Sequence, residues 1–150
     1  MSLIASHRIS ESLPNGSDRG PAHIRESYLA IAGSVPVARR AISDFAAGLG
    51  VGEQQLAAIR LASSEALTNV VRHAYRSRTG HFHVTASVAG DELWVLISDS
   101  GCGIHAGLEG DGLGLGLALI AKATDGFSVV AHSTGGTELR MRFSLGADRL

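Results

Sequence analysis

LASSEALTNVVRHAY, residues Leu61 to Tyr75, reads as one amphipathic helix. Leu56, Ile59, Ala62, Ala66, Val70 and Ala74 recur every three or four residues and draw an apolar stripe along it. Glu65 and Asn69 stand four apart and stack on one face. At ~100° per residue, that face lies about a quarter-turn from the centre of the stripe. The pair is therefore expected on the margin of the buried surface. An amide oxygen is a hard donor suited to Mg²⁺, which binds oxygen atoms and keeps several waters. A carboxylate beside it can take a proton from a nucleophile. Spacing alone favours the plainer reading, an Asn–Glu pair that only satisfies neighbouring backbone; the glycine-rich segments downstream turn the reading toward chemistry.

The bounds around this stretch are narrow. A chain of 150 residues, 45% of them hydrophobic, is expected to form one domain with a packed core. We expect residues 1–22, with Pro14, Asn15, Gly16, Gly20 and Pro21, to be a flexible tail before a single domain over 23–150. The net charge of −1 comes without a basic block, which argues against nucleic acid or an anionic membrane as the main partner. No apolar run is long enough to span a bilayer, and the N-terminus lacks the apolar core of a signal peptide. The single Cys102 cannot form an internal disulfide, which fits a reducing cytoplasm.

Along the chain, Arg25 to Ala32 alternates as a first strand. Pro36 opens a helix with Val37, Ala41, Ile42 and Phe45 inward, ended by Gly48 and Gly50. Glu53 starts the helix that carries the central stretch, which breaks near Gly80. His81 to Ala89 alternates as a strand with one wet face, and Gly90-Asp91 signals a turn. Leu93 to Ser98 is dense enough in apolar residues to be a strand buried on both sides. After a glycine-rich loop, Leu115 to Thr124 reads as a helix with Leu115, Leu119, Ile120 and Ala123 inward. Phe127 to His132 and Thr137 to Leu145 close the chain as strands around Thr134-Gly135-Gly136. This order predicts an α+β fold, a two-layer sandwich of a mostly antiparallel sheet with helices on one face.

The chain has 19 glycines, and the run from Gly101 to Gly116 is dense in them, so backbone rather than side chains is in use there. Asp99 leaves a strand end, where a carboxylate can accept a hydrogen bond from an exocyclic amine such as that of adenine. Gly101 and Gly103 would let backbone pass close to a flat base. A plain Asp-Gly turn also fits. Gly112-Leu113-Gly114-Leu115-Gly116-Leu117 precedes a helix, so bare amides and the positive helix end could meet phosphate. It lacks the Gly-Lys-Ser/Thr of a P-loop and the βαβ context of a dinucleotide site. A flexible connector is the plainer reading, against which the regular alternation with leucine argues.

Glu65-x-x-x-Asn69-x-x-x-His73-Ala74-Tyr75, Asp99-x-Gly101-x-Gly103, Gly112-x-Gly114-Leu115-Gly116-Leu117 and Gly136-Thr137 occur in that order. Together they resemble the ATP-binding boxes of the gyrase, chaperone, histidine-kinase and mismatch-repair ATPase superfamily. The His-Ala-Tyr ending is similar to that of bacterial anti-sigma factor serine/threonine kinases. The likeness runs over about residues 25–145 and implies a histidine-kinase-like ATPase fold. It implies ATP and Mg²⁺ as cofactors, with Asn69 as the metal ligand and Glu65 as the general base toward a partner's serine. Asp99 would bind the adenine amine, helped by Thr137, and Gly101 and Gly103 would shape that pocket. Gly112, Leu113, Gly114, Leu115, Gly116 and Leu117 would line the phosphates, and His73 could touch them or simply hydrogen-bond at its helix end. Arg39 matches an arginine that contacts the sigma factor and its antagonist; a solvated helix arginine fits equally.

The implied partners are a sigma factor and an anti-anti-sigma protein, and a second copy in a homodimer, for which Leu61 and Val71 lie off the core stripe. Residues 104–111 contain no Lys or Arg, so a positive charge on the reacting phosphate must come from elsewhere, such as Lys122 or a partner. Two alternatives remain. One is a catalytically weak module in which nucleotide only locks a partner-binding shape. The other is the catalytic domain of a two-component histidine kinase, which the chain has no helix pair to complete.

Overall fold

Alternation along three neighbouring strands sets the buried face. In β3 (His81–Ala89) Phe82, Val84 and Ala86 are buried; in β4 (Glu92–Asp99) it is Leu93, Val95, Ile97 and Asp99; in β6 (Thr137–Ser144) it is Thr137, Leu139, Met141 and Phe143. Register places these residues side by side, as in Val84↔Ile97 and Ile97↔Leu139. The structure, a computed structural model, describes residues 7–8, 23–73, 79–101 and 113–146.

The remaining elements are β1 (His7–Arg8), β2 (His23–Leu29), α1 (Ser34–Gly48), α2 (Glu53–His73), α3 (Leu113–Ala123) and β5 (Gly126–Ala131). The six strands lie in the order β1-β2-β3-β4-β6-β5, and every described pairing is antiparallel. α2 packs between α1 and α3, and the helix layer covers one face of the sheet. This is the α+β two-layer sandwich that the element order predicts. The proposed tail falls mostly outside the described residues. Within it, His7 and Arg8 pair with Ser27 and Glu26.

In α2, Ile59, Ala62, Ala66 and Val70 are buried as the stripe predicts; Leu56 is half-buried, and Ala74 lies outside the described residues. Ser63, Leu67 and Asn69 are buried too, because neighbouring helices pack on both flanks of α2.

Three expectations need correction. The first strand runs His23–Leu29, not Arg25 to Ala32. Past Leu29 the backbone turns, with the Ala30 N–H donating to Gly80 O at 2.8 Å and the Ile31 N–H to Leu29 O at 2.8 Å. The inner face of α1 is Ser34, Ala38, Ile42, Ser43 and Ala46, while Val37 is 37% exposed and Ala41 and Phe45 are half-buried. Small residues sit inward there because α1 lies close on α2, where Arg60 Nε donates to Ser43 Oγ at 2.7 Å. β4 is buried on one face, not two: Trp94, Leu96 and Ser98 are half-exposed on the side away from the helices. The cross-strand neighbours of Trp94 and Leu96 are Arg142 and Arg140, whose long stems can screen them.

The turn before β6 has no room for a side chain. Gly136 has φ +97°, and a Cβ there would stand 2.1 Å from the carbonyl oxygen of Asp99. Gly135 has φ +98° with nothing within 4 Å. Gly135→Ala is therefore expected to lose only the backbone preference, about 1–2 kcal/mol. Gly136→Ala adds a collision with β4 and should lower the urea midpoint clearly further. Equal losses in the two variants would show that the close approach to Asp99 does not exist.

Candidate functional site

The central pair meets α3 at a glycine. Asn69 is 4% exposed and Glu65 is half-buried. A Cβ on Gly116 would lie 3.1 Å from Asn69 Nδ2, 3.4 Å from Asn69 Oδ1 and 3.4 Å from Glu65 Oε2. An added methyl would be tight and would need the Asn69 amide to give by a few tenths of an ångström. Asn69 is thus deeper than the margin predicted from the helix wheel, since α3 lies on it. α3 begins at Leu113, two residues before the predicted start at Leu115. Leu113, Gly114, Leu115 and Gly116 therefore form its first turn and carry the amides that a helix leaves without intrahelical partners. The positive end of the helix dipole is at the same place.

A second cluster forms where β4 ends and β6 begins. Asp99 pairs in register with Thr137, and the two are 4% and 1% exposed. Asp99 Oδ1 accepts the Gly101 N–H at 3.0 Å. Burial pushes the Asp99 carboxyl above its usual pKa; the Gly101 N–H, the nearby His132 and a backbone hydrogen bond from Thr137 pull the other way. α2 ends at His73 and β3 begins at His81, whose next residue, Phe82, pairs with Asp99. That short connection puts the Asn69 end of α2 and the Asp99 end of β4 at one end of the domain.

Asn69 Nδ2, Asp99 Oδ2 and Thr137 Oγ1 are buried with no hydrogen-bond partner among the described residues. Leaving such a group unpaired costs about 1–3 kcal/mol. A donor, an anionic acceptor and a hydroxyl left in this state suit a ligand with complementary polar edges. The hydroxyls of Ser34 and Ser63 are also unpartnered, which nothing in the structure explains. Among the described residues, no group of three or more His, Cys, Asp or Glu side chains could hold a metal. A cation here would depend on the Asn69 amide oxygen and on oxygens of the ligand itself.

The structure thus brings Glu65, Asn69 and Gly116 together, and Asp99, Gly101, Gly136 and Thr137 together. Leu117 is half-buried against the core, and His73 is half-buried at the last described position of α2. Gly103 and Gly112 lie outside the described residues, as do Ala74 and Tyr75. Arg39 is exposed on α1, with Nη1 3.5 Å from Ser64 Oγ, beside Glu65 on α2. His132 escaped the sequence reading. Only the β5–β6 turn, where its N–H meets Gly136 O at 3.0 Å, brings it near Asp99.

Residues 30–143 match the model of the histidine kinase-like ATPase domain. The chain is also similar to proteins named "Anti-sigma F factor". That of Thermoanaerobacter sp. (strain X514) is 28% identical over 123 residues, covering 75% of this chain and 86% of that protein. That of Clostridium kluyveri (strain NBRC 12016) is 28% identical over 116 residues, covering 70% and 82%. That of Clostridium perfringens (strain SM101 / Type A) is 27% identical over 131 residues, covering 79% and 94%.

The raised Asp99 pKa has a testable consequence in the ligand-free protein. A carboxyl whose pKa is higher folded than unfolded binds more protons when folded, so its contribution to stability falls as pH rises from the ordinary carboxylate range through the folded value. Asp99→Asn keeps an oxygen for the Gly101 N–H and removes the ionisation. The stability of the variant relative to the parent should therefore increase between about pH 4 and pH 7. Urea titrations across that range check it; a difference that shrinks with rising pH contradicts the burial of this carboxylate.

Proposed function

Since the chain belongs to the histidine kinase-like ATPase domain family, we propose that it binds ATP with Mg²⁺ and acts as an anti-sigma factor. In this reading it holds a sigma factor and phosphorylates a serine or threonine of a small antagonist protein. The observation that carries the nucleotide reading is the set of buried, unpartnered polar atoms on Asn69, Asp99 and Thr137. The names of the relatives support the choice of partners.

The residues fit the cofactors. Asp99 Oδ2 has its acceptor capacity open for an adenine amino group, while Gly101 holds the other oxygen in place. Thr137 offers a hydroxyl beside it. Gly101, and by the resemblance Gly103, would border the base. The first-turn amides of Gly114 and Gly116 would take phosphate oxygens, and the resemblance assigns Gly112, Leu113, Leu115 and Leu117 to the same phosphate-binding box. Asn69 holds the metal through Oδ1 and can donate to a phosphate oxygen through Nδ2; His73 stands one helical turn further on, within the same end of α2. Bound Mg²⁺ supplies neutralisation of the charge on the phosphate oxygens. Glu65 takes the proton of the attacking hydroxyl. Arg39, exposed beside Ser64, is the partner contact. The partners place the protein in the cytoplasm. Among the described residues, no helix is long and apolar enough to cross a membrane.

A second reading draws on residues 104–111, which carry no Lys or Arg: nucleotide binds and locks a partner-holding shape without phosphoryl transfer. Labelled ATP, incubated with the purified protein and the cognate antagonist, separates the two. The kinase reading predicts a phosphoserine or phosphothreonine on the antagonist. Glu65→Gln should slow its formation by ~10²–10⁴ while nucleotide affinity is kept. Asn69→Ala should lose the Mg²⁺-dependent part of nucleotide binding. Transfer at the parental rate in Glu65→Gln removes the base assignment. Partner binding that depends on nucleotide, with no phosphate ever transferred, selects the second reading.

A further inference from the structure

β5 is the last strand of the sheet, beyond β6, and it pairs with β6 residue for residue from Gly126 to Ala131 without a bulge. Its sequence, GFSVVA, holds no charge and no proline. Edge strands are commonly blunted by such residues, by bulges or by a covering element. Among the described residues, no strand pairs with the outer edge of β5.

The groups at that edge follow from the ladder. In an antiparallel pair the N–H and C=O of one residue point to the same side, and the side alternates along the strand. The His132 N–H donates to Gly136 O at 3.0 Å, and the register continues that pair through Val130↔Glu138 and Ser128↔Arg140. Ser128 and Val130 therefore bond to β6. The backbone groups of Phe127, Val129 and Ala131 point to the open edge, while the side chains of Phe127 and Val129 pack against the core.

On the face away from the helices the sheet is hollow beside this edge. Gly126 and Ser128 stand opposite Arg142 and Arg140. A Cβ on Gly126 would lie 2.7 Å from Arg142 Nη2, so that guanidinium rests on bare backbone. Trp94, Gly126, Phe127, Ser128, Arg140 and Arg142 line a pocket of about 190 Å³. Its lining thus holds two guanidiniums and no carboxylate. Arg140 Nε donates to Glu138 Oε2 at 2.6 Å, but the Arg140 side chain is 43% exposed against 17% for Glu138, so the guanidinium is the group that meets solvent.

A strand added to β5 continues the pleat, with alternate side chains on the two faces. Those facing the helices come beside Phe127 and Val129, which suits apolar residues. Those facing away come beside Gly126 and Ser128, at the mouth of the pocket. In such additions main-chain hydrogen bonds give affinity and side-chain pockets give the choice of sequence. We propose that the open edge of β5 takes up an extended segment of another protein as an added strand, with an Asp or Glu side chain of that segment seated between Trp94 and Arg140. The inference rests on the sheet edge and its pocket, and it stands whether or not nucleotide binds.

The full chain and a synthetic eight-residue peptide test it; the peptide alternates valine and threonine and has one central glutamate in place of a threonine. Trp94 is the only tryptophan, so its emission reports on the pocket. The peptide should change that emission saturably, and its glutamine version should bind at least ~10-fold more weakly. Arg140→Ala should remove the difference between the two. Val129→Pro deletes an outward N–H that the ladder with β6 does not use, so it should keep the fold and abolish binding. In hydrogen exchange of the parent, the peptide should protect the amides of Phe127, Val129 and Ala131 and leave those of Ser128 and Val130 unchanged; this result decides should Val129→Pro not fold. Emission unchanged up to millimolar peptide overturns the proposal, as does binding retained in folded Val129→Pro. Equal affinity for the glutamate and glutamine peptides overturns the acidic assignment. Self-association that Val129→Pro removes, with no peptide bound, assigns the edge to a second copy. Binding seen only after deletion of residues 147–150 assigns it to the chain's own end. Either of these last two outcomes overturns the proposal.

Discussion

Gly116 sets how close α3 can come to α2. With hydrogen in place of a methyl group, the first turn of α3 rests against the Asn69 amide and the Glu65 carboxylate; a Cβ would already be 3.1 Å from Asn69 Nδ2. Much else follows from that distance. It buries Asn69, which the helix wheel puts only on the margin. It aligns the unpaired amides at the start of α3 with the polar pair on α2. It also leaves Ala118, Ala121 and Lys122 of α3 exposed.

The sheet makes an analogous arrangement at its own end. Asp99 and Thr137 face each other across the β4–β6 ladder, and Gly136 lets the incoming turn cross the Asp99 carbonyl without a side chain between them. One carboxylate oxygen is tied to Gly101 and the other is left open in a buried place. Among the described residues, folding thus leaves several buried polar groups unpaired at one end of the domain. A polar ligand binding there offsets the cost of leaving them so, and the protein is expected to be less stable empty than filled.

Much of this was legible in the residues. The period of α2, the alternation of β3 and the glycine turns at Gly90 and Gly136 name their elements directly, since each reflects a local steric or burial rule. The boxes around Glu65, Asn69, Asp99 and Gly116 are located by their joint order, which resembles the ATP-binding boxes of a known superfamily, because each spacing alone also fits a plainer structural reading. What could not be read depends on neighbours. The face of α1 turned by one position because Ala38, Ser43 and Ala46 are what fit against α2. Trp94 and Leu96 look like core in the sequence, but among the described residues no second helix layer buries them. The contact of Gly116 with Asn69, and of His132 with Asp99, joins segments distant in sequence, and no spacing rule reports it.

The central claim is that a magnesium nucleotide satisfies the polar atoms which folding leaves open. The most direct measurement is the melting temperature of the protein with ATP at about 100 times its Kd, with Mg²⁺ and then with EDTA. A gain corresponding to about 2.7 kcal/mol is expected with the metal, and most of it should vanish with EDTA or in Asn69→Ala. An unchanged melting temperature at millimolar ATP and Mg²⁺ would contradict the account.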